Sequence, residues 1–429
     1  MTVGRWYPVL SGAIAETATN IVLDIASKAR SAKTSACSAA QLSEQALLFG
    51  YFALVDASAP WLDIAIEHLN FAASQVSAHA PIYQFGGICG FGWAYAHTTN
   101  IITTIAQCDI EDPLIEVDQL VREKMEQITD NGSYDLIGGL VGVGVYFLER
   151  FPAASATDGL SRILECLAFR AERSTAGIAW HTPPELLPAY QRSLCPSGHY
   201  NLGMAHGHPA VIRFLLELIE TGIQVPLASQ LLDEAILWII NQRQPSGRGA
   251  LYGYWVAEGS RPIPPRLGWC YGDLGVAIAI YQTGERLGRT AWVEFAEEIL
   301  IRTTLQSTGH VRAETLCHGA LGVAHMYRRL LHSSESIEYR MAALHYYERA
   351  LAIIAERNQD RAAREHEHEN GAEATSMLES DVGIALALLA ATTPIEPQWD
   401  RRLMLSGWRR NSSRALRLRT AFDLMTDNR

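Results

Sequence analysis

CYGDLGVAIAIY, residues 270–281, decides the fold, because close relatives of it recur along the chain. They read QLSEQALLFGYF (41–52), QFGGICGFGWAY (84–95), DLIGGLVGVGVYF (135–147), LGMAHGHPAVIRFL (202–215), CHGALGVAHMY (317–327) and LESDVGIALALL (378–389). Aligning Ala46, Gly90, Gly142, Ala210, Gly275, Gly322 and Gly383 gives a small-residue signature at intervals of 44 to 68 residues. Internal periodicity of this length marks a repeat architecture.

Between the copies lie amphipathic segments with apolar residues at i, i+3, i+4 and i+7. They include 60–76, 113–128, 229–243, 292–305 and 338–356. Ser229, followed closely by acidic residues, reads as the cap of its helix. Each unit is therefore one amphipathic outer helix and one helix apolar nearly all round, which must be buried. Small residues let such helices approach closely, despite costing up to ~1 kcal/mol each in helix propensity. Seven pairs predict an all-α fold, an α/α toroid of about seven inner and seven outer helices. An open solenoid is the alternative. The whole chain, 1–429, reads as one such domain, with 175–200 and 244–266 as small non-toroid insertions. LYGYWVAEG (251–259) is the best strand-like stretch and suggests a local hairpin.

The bulk composition supports a large buried core: 48% hydrophobic and 19% charged residues over 429 positions. A formal net charge of −11 argues against nucleic acid and anionic membrane surfaces as partners. The basic run at Arg409, Arg410, Arg414, Arg417 and Arg419 reads as a solvated face or tail. No secretory signal and no membrane span is evident. Seven cysteines, an odd number spread over a long chain, do not form a disulfide framework. A cytoplasmic protein with reduced thiols is expected.

In a toroid the inner helices all point one way, so residues at their starts meet at one rim. Those starts carry Asp135, His206, Cys270 with Tyr271, and Cys317 with His318; Arg266 lies just ahead of Cys270. Two thiolates and an imidazole are a zinc set that leaves a fourth position open, and helix N-termini favour the thiolate. Small core cysteines are the bland alternative, but Cys270 and Cys317 occupy equivalent repeat positions. His206 is a candidate general acid or base, with His208 beside it as a competitor for a buried structural role. Asp135 reads equally as an N-cap or a catalytic carboxylate. Arg266 and Tyr271 suit the orientation of a carbonyl or an anion, although a structural role is the default for each. The run REHEHEN (364–370) reads as a solvated loop, and Cys195 sits in a CPSG loop where exposure is expected.

GMAHGHPA, WCYGDLG and LCHGALG, in that order, resemble the lanthionine synthetase C-like (LanC) cyclases, over roughly the span from the repeat at 41 to WDRRLML at 399–405. The resemblance implies one zinc per chain, held by Cys270, Cys317 and His318. It implies a catalytic histidine at His206, with Asp135, Arg266 and Tyr271 in the family's other functional positions. Tyr271 after the first cysteine resembles the bacterial biosynthetic members. The implied activity is intramolecular Michael addition of substrate-peptide cysteine thiols to dehydroalanine or dehydrobutyrine, forming thioether rings. The implied substrate is a dehydrated precursor peptide, leader plus core. Implied partners are a separate dehydratase and an exporter, in a complex that brings the protein to the inner membrane. The competing readings are a zinc-containing thiol- or peptide-binding scaffold, and a prenyltransferase-like thiol-alkylating enzyme. The first and last repeats depart from the family, having QLSEQALLFG and ESDVG where glycines are typical.

Overall fold

The computed structural model describes residues 6–31, 37–108, 110–245, 249–259, 263, 267–305, 311–363 and 376–408. Arg266, the REHEHEN run and the basic run from Arg409 lie outside the described residues.

Inner helices are α2 (Ala39–Val55), α4 (Ile88–Ala106), α6 (Leu140–Arg150), α9 (His208–Thr221), α11 (Asp273–Leu287), α13 (Ala320–Leu330) and α15 (Asp381–Thr392). Most of their residues are buried; in α13 every one is. Outer helices are α1 (Gly12–Ser31), α3 (Trp61–Ser74), α5 (Ile115–Glu126), α7 (Ala154–Arg170), α10 (Val225–Asn241), α12 (Thr290–Thr304) and α14 (Ile337–Ala363). These bury one stripe each; in α3 it is Ile64, Ala65, His68, Leu69 and Ala72.

Each inner helix packs against the next, and α15 packs against α2. The ring is closed, so the toroid holds and the open solenoid does not. Closure pairs the ends of the chain. Helix α1 serves as the outer partner of α15, while Val9 and Leu10 donate to the Ala391 carbonyl and Trp6 Nε1 to that of Ala390. Among the described residues, no helix is long and apolar enough to cross a membrane.

Three of the inner helices, α4, α6 and α13, start on a shared device built from orphan N–H groups. The first turn of a helix leaves its donors without intrahelical partners. Here the preceding loop folds back and supplies carbonyls from seven residues earlier: Leu140 to Ser133, Val141 to Tyr134, Gly142 to Asp135, and likewise Ala320 to Ala313, Leu321 to Glu314, Gly322 to Thr315. The fold-back presses the carbonyl six residues earlier against the aligned small residue. A Cβ on Gly142 would meet Leu136 O, one on Gly322 would meet Leu316 O, and one on Gly383 would meet Met377 O. Close approach to a loop carbonyl is thus the reason for glycine at these positions.

The loops are also laced to one another. Gln84 N donates to Ile137 O, Leu136 N to Ala205 O, Ala205 N to Cys270 O, Cys270 N to Cys317 O, and Cys317 N to Leu378 O. This belt runs from the second repeat to the seventh. At the first repeat, Ser38 and Gln41 form a capping box that starts α2, and among the described residues no loop of the belt precedes it. Arg402 spans the gap instead, donating to Glu44 Oε1 and to Gln84 O.

The strands lie in or next to the stretches read as insertions, β1 just ahead of the first. A hairpin joins β1 (Glu172–Ser174) and β2 (Gly177–Ala179), and a three-stranded sheet has the order β3 (His181–Thr182), β4 (His199–Asn201), β5 (Trp255–Val256). The LYGYWVAEG stretch does form a strand, but β5 pairs with the distant β4, while Tyr254 N also donates locally to Ile263 O. Ser229 is not a cap: α10 begins one turn earlier, with proline in its first two positions, where a missing N–H costs nothing. Cys195 is buried, 2% exposed, against Leu187 and Trp255.

Candidate metal centre and its acid–base neighbour

The belt brings four of the loops into one arc, and the arc gathers the polar residues. Cys270, Cys317 and His318 each offer a ligand atom, and all three atoms lie within 4.8 Å of one another. Tetrahedral zinc, with bonds of about 2.3 Å to sulfur and 2.0–2.1 Å to nitrogen, sets ligand atoms roughly 3.5–3.8 Å apart. The three donors are partly buried rather than sealed. A borderline-soft cation suits two sulfurs and an imidazole. The residues present therefore fit zinc.

Hydrogen bonding already polarises the pair of thiols. A hydrogen bond from Cys317, reinforced by His318, pushes the Cys270 thiol down against the opposing effect of burial. Cys317 rises for the complementary reason, since it supplies that proton. His318 is pushed up to about 9, first by Cys270 and then by Glu379.

His206 stands next in the arc. Its Nδ1 donates to Asp135 Oδ2 at 2.5 Å, and its side chain is 43% exposed while that of Asp135 is 13%. Burial opposes the imidazolium, but the Asp135 carboxylate outweighs it and raises the histidine above its ordinary value. Asp135 is lowered in turn, and its Oδ1 accepts from Gly138 N at 2.9 Å. The N-cap of α6 is Gly139, so Asp135 braces the loop and holds His206 without capping the helix. His208 takes the structural part: Nδ1 donates to Asn201 O and Nε2 accepts from Trp180 N. Burial pushes it down to about 4, which keeps it neutral.

Tyr271 lies beside His206, ring centroids 6.3 Å apart. Its hydroxyl accepts from Asn201 Nδ2 at 3.0 Å, and burial raises the phenol, so it stays a protonated donor. Gly272, with φ of 111°, makes the sharp turn between Tyr271 and α11 that a side chain would strain. Strand β4 delivers Asn201, and Tyr254 packs edge-on against the Tyr271 ring at 4.8 Å.

Sequence reasoning missed two of these residues. Asn201 has no repeat signal. Glu379 has one: counting four residues back from each aligned small residue gives Leu42, Gly86, Gly138, His206, Tyr271, His318 and Glu379. Its Oε1 lies 3.1 Å from His318 Nδ1.

A family described as "Lanthionine synthetase C-like protein" matches residues 45–404. The chain belongs to the lanthionine synthetase C-like family. Among solved structures similar to this LanC-like chain is that of nisin cyclase, with a TM-score of 0.68 at 19% identity, covering 91% of this chain and 97% of that one. At such identity the likeness speaks for the toroid. No curated protein matches the chain by sequence. Membership in the LanC-like family supports the expected enzyme class, a lanthionine-forming cyclase acting on a peptide.

Proposed function

We propose that this protein is a zinc-dependent lanthipeptide cyclase, with one zinc per chain on Cys270, Cys317 and His318. The observation that carries the reading is the juxtaposition of that donor set with the His206–Asp135 pair on one rim of a LanC-like toroid. When bound, the metal would supply a Lewis-acidic open position at which a peptide thiol is held as the thiolate.

The remaining chemistry belongs to the side chains. The thiolate adds to the β-carbon of a dehydroalanine or dehydrobutyrine in the same peptide, forming the S–C bond. The electron pair of the double bond moves to the α-carbon and carbonyl as an enolate. His206, kept protonated by Asp135, delivers a proton from Nε2 to that α-carbon. Tyr271 donates its hydroxyl hydrogen to the enolate oxygen, steadied by Asn201. Arg266 is assigned the same oxygen on the strength of the family resemblance. The thiol proton replaces the one His206 gives up, so the product is an isomer of the substrate.

The reading includes a single toroidal domain over 1–429, a dehydrated leader-plus-core substrate, and a cytoplasmic location beside a separate dehydratase and an exporter at the inner membrane. Incubation with a dehydrated, cysteine-containing peptide tests it. Ring closure leaves the mass unchanged, so free thiols are counted by alkylation. Loss of alkylatable thiol only with zinc-loaded protein is expected; thiols that persist would leave a binding scaffold instead.

A further inference from the structure

The geometry points to Glu379 as the residue that orients His318 and fixes which of its nitrogens can hold the metal. This rests on the zinc reading above.

Two observations carry it. The carboxylate lies 3.1 Å from His318 Nδ1. A carboxylate accepts and cannot donate, so Nδ1 carries the hydrogen and Nε2 is left as the ligand nitrogen. Both side chains are about one-third exposed, 34% and 38%, so the pair is open to solvent rather than inside a sealed core.

The register supplies a second argument. Glu379 is the seventh-repeat counterpart of His206, Tyr271 and His318, and two neighbouring pairs of this series, His206 with Tyr271 and His318 with Glu379, meet side by side. Leu378, its neighbour in the chain, accepts the backbone bond from Cys317 N. The same link of the belt thus sets the distance between a ligand-bearing loop and the loop carrying Glu379. A histidine ligand whose second nitrogen donates to a carboxylate is locked in tautomer and ring angle and becomes a stronger donor. With two thiolates already in the donor set, the added negative charge also keeps a bound substrate sulfur nucleophilic.

Zinc affinity of the metal-depleted protein, measured by competition with a chromophoric chelator, tests the assignment. Glu379→Ala is expected to bind zinc ten- to a hundredfold more weakly, the range typical of such outer partners. Glu379→Gln should recover part of the loss, since its amide oxygen still accepts from Nδ1, and the melting temperature of the metal-free protein should hardly move in either variant. In protein labelled with nitrogen-15 histidine and loaded with cadmium-113, the metal coupling should fall on Nε2 of His318, with Nδ1 protonated. Coordination through Nδ1, or affinity within twofold of the parent in Glu379→Ala, would overturn the inference while leaving the zinc site standing. A parent that takes up no zinc would remove both.

Discussion

His206 and His208 stand two residues apart and do opposite work, and their partners alone explain it. His208 is enclosed, with both ring nitrogens satisfied by backbone, and burial drives it neutral. His206 is open on one side and biased toward its charged form by Asp135. His206→Asn should therefore keep zinc while slowing ring formation about 10²- to 10⁴-fold, the usual worth of a positioned acid or base. Cys317→Ala should lose both zinc and ring formation. Metal content per chain and alkylation counts on the two variants check the division; full zinc retention by Cys317→Ala would refute the ligand set.

At the scale of the element, the aligned glycines make a graded prediction. Alanine in a helix interior is ordinarily favoured over glycine by up to ~1 kcal/mol. At Gly322 a methyl would overlap the Leu316 carbonyl, which the belt holds through the Leu316 N–H on Leu378 O. At Gly275 the equivalent Cβ would lie 3.1 Å from Trp269 O, tight but tolerable. Gly322→Ala should cost about 2 kcal/mol or more, as overpacking does, whereas Gly275→Ala should be nearly neutral. Denaturant midpoints on both variants test this, and equal losses would count against the fold-back explanation. The small residues and their spacing were plain in the sequence, but the carbonyl that demands them comes from tertiary folding of each loop.

Across the whole molecule, the segment 396–408 clamps the ring from inside. Trp269 Nε1 donates to Leu403 O, Arg213 to Met404 O, Gln282 to Leu405 O, and Trp408 Nε1 to Glu149. Asp400 is fully buried with Arg329 and His325 on it. Burial alone would raise the Asp400 carboxyl, but those two hold it at about 2, and His97 with Arg401 likewise brings buried Glu149 to about 2. Unfolded carboxyls titrate near 4, so the stabilisation is complete above about pH 4.5 and fades as pH falls toward 2. Each of these two carboxylates contributes roughly 3 kcal/mol at neutral pH. Melting temperature should fall steeply between pH 4.5 and 2, and less steeply in Asp400→Asn. That variant should itself lose about 3 kcal/mol at pH 7 by leaving Arg329 short of its buried partner. An acid limb unchanged by the substitution would show that Asp400 does not carry it.

The sequence by itself determined the helical class, the seven-fold repeat and the candidate residues, because side-chain period and repeat register are written along the chain. It also placed Cys270 and Cys317 in equivalent positions, which is why a shared site was legible before any fold was known. Three matters were decided only in three dimensions. Ring closure needed α15 to pack on α2 with α1 behind it, contacts between segments far apart in the chain. The choice between His206 and His208 depended on which one faces the cavity. The partner of His318 came from a loop about sixty residues away in sequence. Each is a through-space relation between distant segments, which no local pattern along the chain encodes.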